Sequence, residues 1–461
     1  MFRSLSHYNF RLWFIGALVS NIGTWMQSTT QSWVVLTELT DNNALAVGVT
    51  MALQFGPQIL LVPVTGLVAD RRDRRRILIL TQSAMAVLGV GLGVLLLSGA
   101  AELWHVYMFA LVLGIVGAFD APARQTFVSE LVTEHNMSNA VALNSASFNA
   151  ARLLGPALAG GLIVVISSGW VFVLNAFTFL AVIVALLALR RKELIERPGR
   201  SSGTGQLVAG FRYVGARPDL IVVFVIVFLL GAFAMNFPIF TSTMAVAFGH
   251  GAGEYGLLSS ILAIGSLAGA LLAARHARAR LGVVIGTTGG MALAITLTAL
   301  MPTFWTFALS LVLVGFTMVT VLATANGYVQ TTTEPNVRGR VMALYMAVML
   351  GGTPLGAPLV GWVADVYGPR SALLVGAAGA AVACTIGLVW AVIARDLRIV
   401  RHEQSRRRFR LSYSDVIVPS PAEFSDQVAM TVPVMLPSES PPEPEPEPQP
   451  QPEPEPDDRS R

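Results

Sequence analysis

An all-α membrane protein, with twelve transmembrane helices in two pseudo-symmetric halves of six and a disordered C-terminal tail, is the fold class this sequence predicts. Three observations predict it. The 461 residues are 54% hydrophobic and only 13% charged, against ~25% charge in a soluble domain. The apolar residues gather into runs of ~20, the length that crosses a bilayer as a helix. A segment in the first half of the chain also returns 201 residues later without a gap.

The predicted spans are 12–37, 45–69, 77–98, 103–128, 139–166, 170–190, 220–246, 254–274, 281–300, 304–330, 341–364 and 371–394. Basic residues orient them, because positive charge collects on the cytoplasmic side. With the N-terminus inside, the inner segments hold Arg3, Arg11, the 71–76 cluster, Arg190 to Arg217, Arg275 to Arg280, Arg338, Arg340 and the tail. The outer loops then hold only Arg370. Both termini are expected in the cytoplasm of a bacterial cell (inner) membrane crossed many times. The polar opening MFRSLSHYNFR runs straight into a full-length span, so no cleavable leader is expected.

Sliding Phe127–Gly160 by 201 residues brings it onto Tyr328–Gly361, matching Ala142/Ala343, Leu154/Leu355, Gly155/Gly356 and Gly160/Gly361 among others. This repeat divides the chain into an N-terminal half (1–190), a cytoplasmic linker (191–219), a C-terminal half (220–394) and a tail (395–461). The tail begins with seven arginines between Arg395 and Arg410, suited to a membrane surface. It ends in PPEPEPEPQPQPEPEP, which cannot bury a core and favours extended disorder.

Asp70 to Arg76 packs five arginines and two aspartates into the turn between spans 2 and 3. The spacing Gly66, Asp70, Arg71, Arg74, Arg75 resembles the G-x-x-x-D-R-x-x-R-R loop between helices 2 and 3 of the major facilitator superfamily. Gly66 is expected to permit close helix packing, and Asp70 to cap helix 3 or pair with Arg74. In span 4, Asp120 and Arg124 stand one helical turn apart in FDAPARQTF, which resembles the branch containing bacterial siderophore exporters and macrolide efflux proteins. The resemblance implies a charge relay of Asp70, Arg74 and Asp120 that latches the cytoplasmic face. A purely local Asp120–Arg124 pair is the plainer reading.

Arg152, midway along span 5, shares a polar face with Ser145 and Asn149. An unpaired guanidinium at that depth costs ~2.5–3.5 kcal/mol on the translocon scale. It either lines the substrate path or tethers helix-end carbonyls. The following LLGPALAGG resembles the helix-5 Gly-Pro motif of superfamily antiporters through Gly155, Pro156, Gly160 and Gly161, with one residue more between the two pairs. Asn21, Trp25, Ser28 and Gln31 in span 1, Asn236 in span 7, and Thr320 and Thr324 in span 10 form polar stripes. The superfamily fold places these spans around a central cavity. Such a wall, with aromatic and methionine neighbours, suits bulky amphipathic compounds. Interhelical hydrogen bonding explains the same residues without a substrate.

Cys384 is the one cysteine, so no intramolecular disulfide is possible. No G-x-x-x-x-G-K-[ST] motif offers nucleotide energy, no histidine cluster offers a metal site, and no nucleophile–base set suggests an enzyme. No cofactor or nucleic acid is expected. The expectation is a monomeric secondary transporter in the lipid bilayer, exporting amphipathic, drug-like small molecules in exchange for protons. Arg152 should favour neutral, zwitterionic or anionic cargo over dications. A dedicated siderophore or secondary-metabolite exporter is one alternative. A transporter-like scaffold or sensor acting through the tail is another.

Overall fold

The computed structural model describes residues 3–61, 64–66, 68, 72–195, 205–275, 280–395, 398–401 and 409–412. The six helices of the first half are α1 (Tyr8–Trp33), α2 (Ala44–Leu60), α3 (Arg74–Leu97), α4 (Leu103–Phe127), α5 (Met137–Ile166) and α6 (Ser168–Ala188). A linker helix α7 (Gly205–Gly215) follows. Span 7 is built from α8 (Pro218–Leu229) and α9 (Phe237–Ala247), and spans 8 to 12 are α10 (Ala252–Arg275), α11 (Leu281–Ala299), α12 (Phe304–Thr332), α13 (Pro335–Tyr367) and α14 (Pro369–Arg395). Among the described residues, ten helical segments are long and apolar enough to cross a membrane. The other two of the twelve positions are α1 and α2. Helix α1 is long but carries the polar stripe, and α2, at 17 residues from Ala44 to Leu60, is shorter than the other spans.

The helix starts follow local chemistry. Asn43 caps α2, its side chain accepting from Ala46 N at 2.9 Å. Prolines open α8, α13 and α14, where a missing N–H is harmless. Asp73, not Asp70, caps α3, accepting from the Arg75 and Arg76 amides. Asp73 immediately precedes the first helical residue, which is where a cap must sit. Span 7 is not one continuous helix. A π-turn at Leu230–Ala234 and Pro238 at the start of α9 break it beside Asn236.

Helices α1 to α6 pack among themselves, and the two halves meet along α5 against α10 and α2 against α13. The repeat seen in the sequence reappears in these seams. A Cβ on Gly160 would fall 2.7 Å from the Ala252 carbonyl of α10, and one on its repeat mate Gly361 would fall 2.4 Å from the Ala44 carbonyl of α2. Only glycine lets these backbones come so close.

The same 201-residue offset relates the turns that follow. Ser167 has φ 72° and ψ 161°, and Gly368 has φ 88° and ψ 161°. That region is suited to glycine alone and costs other residues ~1–3 kcal/mol. Ser167→Gly is therefore expected to raise the unfolding temperature in detergent, and Gly368→Ala to lower it. Equal midpoints for Ser167→Gly and the parent would show that the turn carries no strain.

The residues from Arg395 onward form a second unit. Its described part is an antiparallel pair, β1 (Arg398–Arg401) with β2 (Phe409–Ser412), in register Ile399 to Leu411. Only a basic surface segment and a disordered tail were expected there. The second stretch, Phe-Arg-Leu-Ser, alternates apolar and polar residues, the period of a strand, and the first carries the β-branched pair Ile399 and Val400. The proline- and glutamate-rich end lies outside the described residues.

Candidate functional site

The helices run between two ends, an arginine-rich end at the start of α3 and an opposite end at the start of α2. At the arginine-rich end the ion pairs among the described residues stay within a half. Arg74 pairs with Glu130 at the close of span 4, on the short 3-10 turn after α4, and Arg75 Nε donates to the Leu186 carbonyl of α6 at 2.7 Å. Asp120 is buried and well partnered: Thr81 Oγ1 (2.7 Å) and Gln82 Nε2 (2.8 Å) donate to one oxygen, Arg124 Nε (2.9 Å) to the other. The Arg124 guanidinium also lies 5.7 Å from the centre of the Trp13 ring. Of the three residues in the expected relay, Arg74 thus faces Glu130 and Asp120 faces Arg124. Asp70 and Arg71 lie outside the described residues. Among the described residues, nothing lies within 4 Å of a Cβ built on Gly66, so none of them makes the close contact expected there.

The second half has its own ionic cluster, which the sequence reading did not find. Arg217 holds Asp219 through two hydrogen bonds of 2.9 and 2.7 Å, and Tyr328 Oη donates to the same carboxylate at 2.9 Å. Arg217 also donates to the Thr332 carbonyl at 3.3 Å, pinning the start of α8 to the end of α12. The carboxylate holds the Arg217 guanidinium above its ordinary pKa.

At the opposite end the halves are joined. Asp365, near the end of α13, accepts from the Ala44 amide at 2.6 Å and the Leu45 amide at 2.8 Å, across the boundary between the halves. These are the first amides of α2, where a carboxylate satisfies free donors and the helix dipole together. Beside it lies a cavity of about 460 Å³ walled by Asp41, Asn43, Thr243 and Val246. The sequence carried one signal for Asp365: Gly361-Trp-Val-Ala-Asp365 echoes Gly66-Leu-Val-Ala-Asp70.

Between the ends, Ser260 Oγ of α10 donates to the Leu153 carbonyl of α5 at 3.0 Å. Arg152 reaches across the boundary, with Nη2 4.0 Å from Met318 Sδ of α12. Its guanidinium carbon sits 5.7 Å from the Trp25 ring centre, and Trp25 meets Phe148 edge-on at 5.7 Å. No carboxylate lies within 4 Å of Arg152 among the described residues, and no carbonyl tether is found there either.

Other expected wall residues divide into two groups. Asn21 donates to Ser147 at 3.4 Å, and Asn21, Trp25, Ser28, Asn149 and Thr324 all remain half-buried. Gln31 is buried and donates to Gln54 at 3.0 Å, joining α1 to α2. Thr320 is buried, and Asn236 is fully buried with its amide on the Ala232 carbonyl, stitching the π-turn. In this conformation Gln31, Thr320 and Asn236 act as interhelical and intrahelical glue. In the helix-5 motif, Gly155 packs on Trp25 of α1, Pro156 and Gly160 meet α10, and Gly161 has nothing described within 4 Å.

Two bundles of membrane helices joined along two seams, with ionic clusters at one end and an inter-half clasp at the other, define a transporter of the major facilitator type. More specifically, the chain belongs to the transmembrane secretion effector family of that superfamily, whose model matches residues 1–409. It is similar to the enterobactin exporter EntS of Salmonella typhimurium (strain LT2), at 25% identity over 402 residues, 86% of this chain and 94% of the relative. It is also similar to the staphyloferrin A transporter of Staphylococcus aureus (strain NCTC 8325), at 24% identity over 377 residues, covering 78% and 90% of the two chains. Among solved structures, a bacterial homologue of the human lysosomal transporter Spinster, in an inward-facing and unoccupied conformation, has the same fold. Its TM-score is 0.65 at 14% identity, covering 83% of this chain and 97% of that one.

Proposed function

We propose that this transporter exports siderophores or siderophore-like amphipathic metabolites from the cytoplasm by alternating access, driven by proton exchange. The observation that carries the reading is the one-sided joining of the halves: Asp365 clasps them at one end, while among the described residues no ion pair of the other end crosses between them. With the arginine-rich end in the cytoplasm, as its charge favours, this geometry is an inward-open conformation ready to load. Two near-full-length relatives named for siderophores support that cargo over general drug efflux. Proton coupling is supported by the lack of a nucleotide motif and the presence of buried Asp120. The N-terminal and C-terminal six-helix halves are the moving bodies, and the cytoplasmic linker 191–219 joins them.

The test is genetic and chemical. Deleting the gene in its iron-starved host is expected to cut the metal-free siderophore in the medium at least fivefold while it accumulates in cells. Restoration by a chain truncated after Ser412 is expected to be complete, which would remove the scaffold reading. Unchanged secretion after deletion would sink the export reading.

A further inference from the structure

We infer that Arg152, Trp25 and Met318 form a cargo subsite for a planar carboxylate carried on an aromatic or similarly flat apolar body. The inference rests on the export reading for its biological setting, but its geometry stands alone. Arg152 lies midway along α5, where both halves contribute to its surroundings: Trp25 from α1 and Met318 from α12. A guanidinium carries five N–H donors in a planar fork. Here one nitrogen faces a thioether sulfur, a weak acceptor, and the others have no hydrogen-bond partner among the described residues. They are also absent from the polar atoms that are sealed from solvent without a partner, a group that does include Arg124 Nη1 and Arg74 Nε. The free donors of Arg152 therefore face open space.

Contrast with the other membrane-depth and end-of-helix arginines sharpens the point. Arg74, Arg124 and Arg217 each have a carboxylate of this chain within 3 Å. Arg152 has none within 4 Å among the described residues, although it lies midway along a membrane span, where a bare charge is costly. A ligand carboxylate matches the fork with two parallel hydrogen bonds, which an ester or an ammonium cannot do. The neighbours set the rest of the ligand. Trp25 and Phe148 meet edge-on and offer an aromatic wall, with Phe148 49% exposed. Met318 is a polarizable, adaptable lid that favours flat rings of varied shape. Trp25 stands over the same guanidinium, so an aryl acid would place its ring near the indole while its carboxylate takes the fork.

Because Met318 belongs to the second half and Arg152 to the first, such a ligand would replace an inter-half contact with one of its own. The subsite thus lies where loading and closure meet.

The experiment uses the full chain in lipid nanodiscs and three matched probes: 2-naphthoate, its methyl ester and 2-naphthyltrimethylammonium, each measured by equilibrium dialysis. The parent is expected to bind naphthoate at least tenfold more tightly than the ester, and the cation least. Arg152→Gln is expected to lose that preference while keeping ester binding, which also shows that the variant is folded. Arg152→Lys should recover only part of it, since the charge remains but the fork is gone. Trp25→Leu should weaken acid and ester together. If Arg152→Gln binds naphthoate as the parent does, or if the parent shows no preference for the acid, the subsite is overturned. Either result leaves the export reading standing, since secretion in the deletion strain is a separate readout. Conversely, acid-selective binding by a protein whose deletion leaves secretion unchanged would keep the subsite and discard the exporter.

Discussion

Asp365→Ala opens the end of the molecule where the halves are clasped. The carboxylate accepts from two amides across the boundary, and hydrogen bonds to a charged group contribute ~1.5–3 kcal/mol each. Losing ~2–3 kcal/mol of bias between two conformations shifts their ratio by roughly thirty- to a hundred-and-fiftyfold. The measurement is modification of Val246→Cys, in a Cys384→Ser background, by a membrane-impermeant thiol reagent added from outside the cell. Val246 walls the cavity beside Asp365, so labelling is expected to rise about tenfold when Asp365→Ala is added. Asp365→Asn keeps one acceptor and should give a smaller rise. An unchanged labelling rate would mean that the α2–α13 seam, not the carboxylate, holds this end shut.

The second large effect concerns Asp120. Its alanine variant leaves the Arg124 guanidinium buried beside Trp13 with its acid gone, and breaking a buried pair costs ~3–5 kcal/mol. Asp120→Ala is therefore expected to reduce folded protein in the membrane, not merely to slow transport. Arg124→Ala is milder, because Thr81 and Gln82 still serve the carboxylate. The double variant Asp120→Ala/Arg124→Ala should be more stable than Asp120→Ala alone, since neither charge is then orphaned. Thermal unfolding of the three proteins in detergent decides it. Strictly additive losses would separate the two residues. Arg74→Ala should add independently to either, since Arg74 faces Glu130.

The helices were legible because burial in lipid writes itself as long apolar runs, and the repeat because both halves solve one packing problem with Gly160 and Gly361. Partner choice was not. Nothing local distinguishes Glu130 from Asp120 as the mate of Arg74, and the former lies on a turn that only the fold brings near. Asp73 and Asp70 differ as caps only by where α3 begins. Polar stripes announce that a face is special without saying which neighbour it meets. Gln31 and Thr320 thus ended in helix seams, while Trp25 and Arg152 ended beside each other. Asp365 was missed because an acid near a loop reads as ordinary solvent exposure. Its value lies in two amides more than three hundred residues away in sequence.

The central claim is export through a cycle that Asp365 helps to hold inward-open, and transport by the purified chain tests it most directly. Protein is reconstituted in liposomes with the arginine-rich end outward, an acidic interior is imposed, and metal-free enterobactin and staphyloferrin A are supplied outside. The account predicts that at least one accumulates inside above its external concentration, that the accumulation disappears when the pH gradient is collapsed, and that Asp365→Ala slows it severely. Accumulation no greater than in protein-free liposomes, for either compound and with the gradient intact, would contradict it.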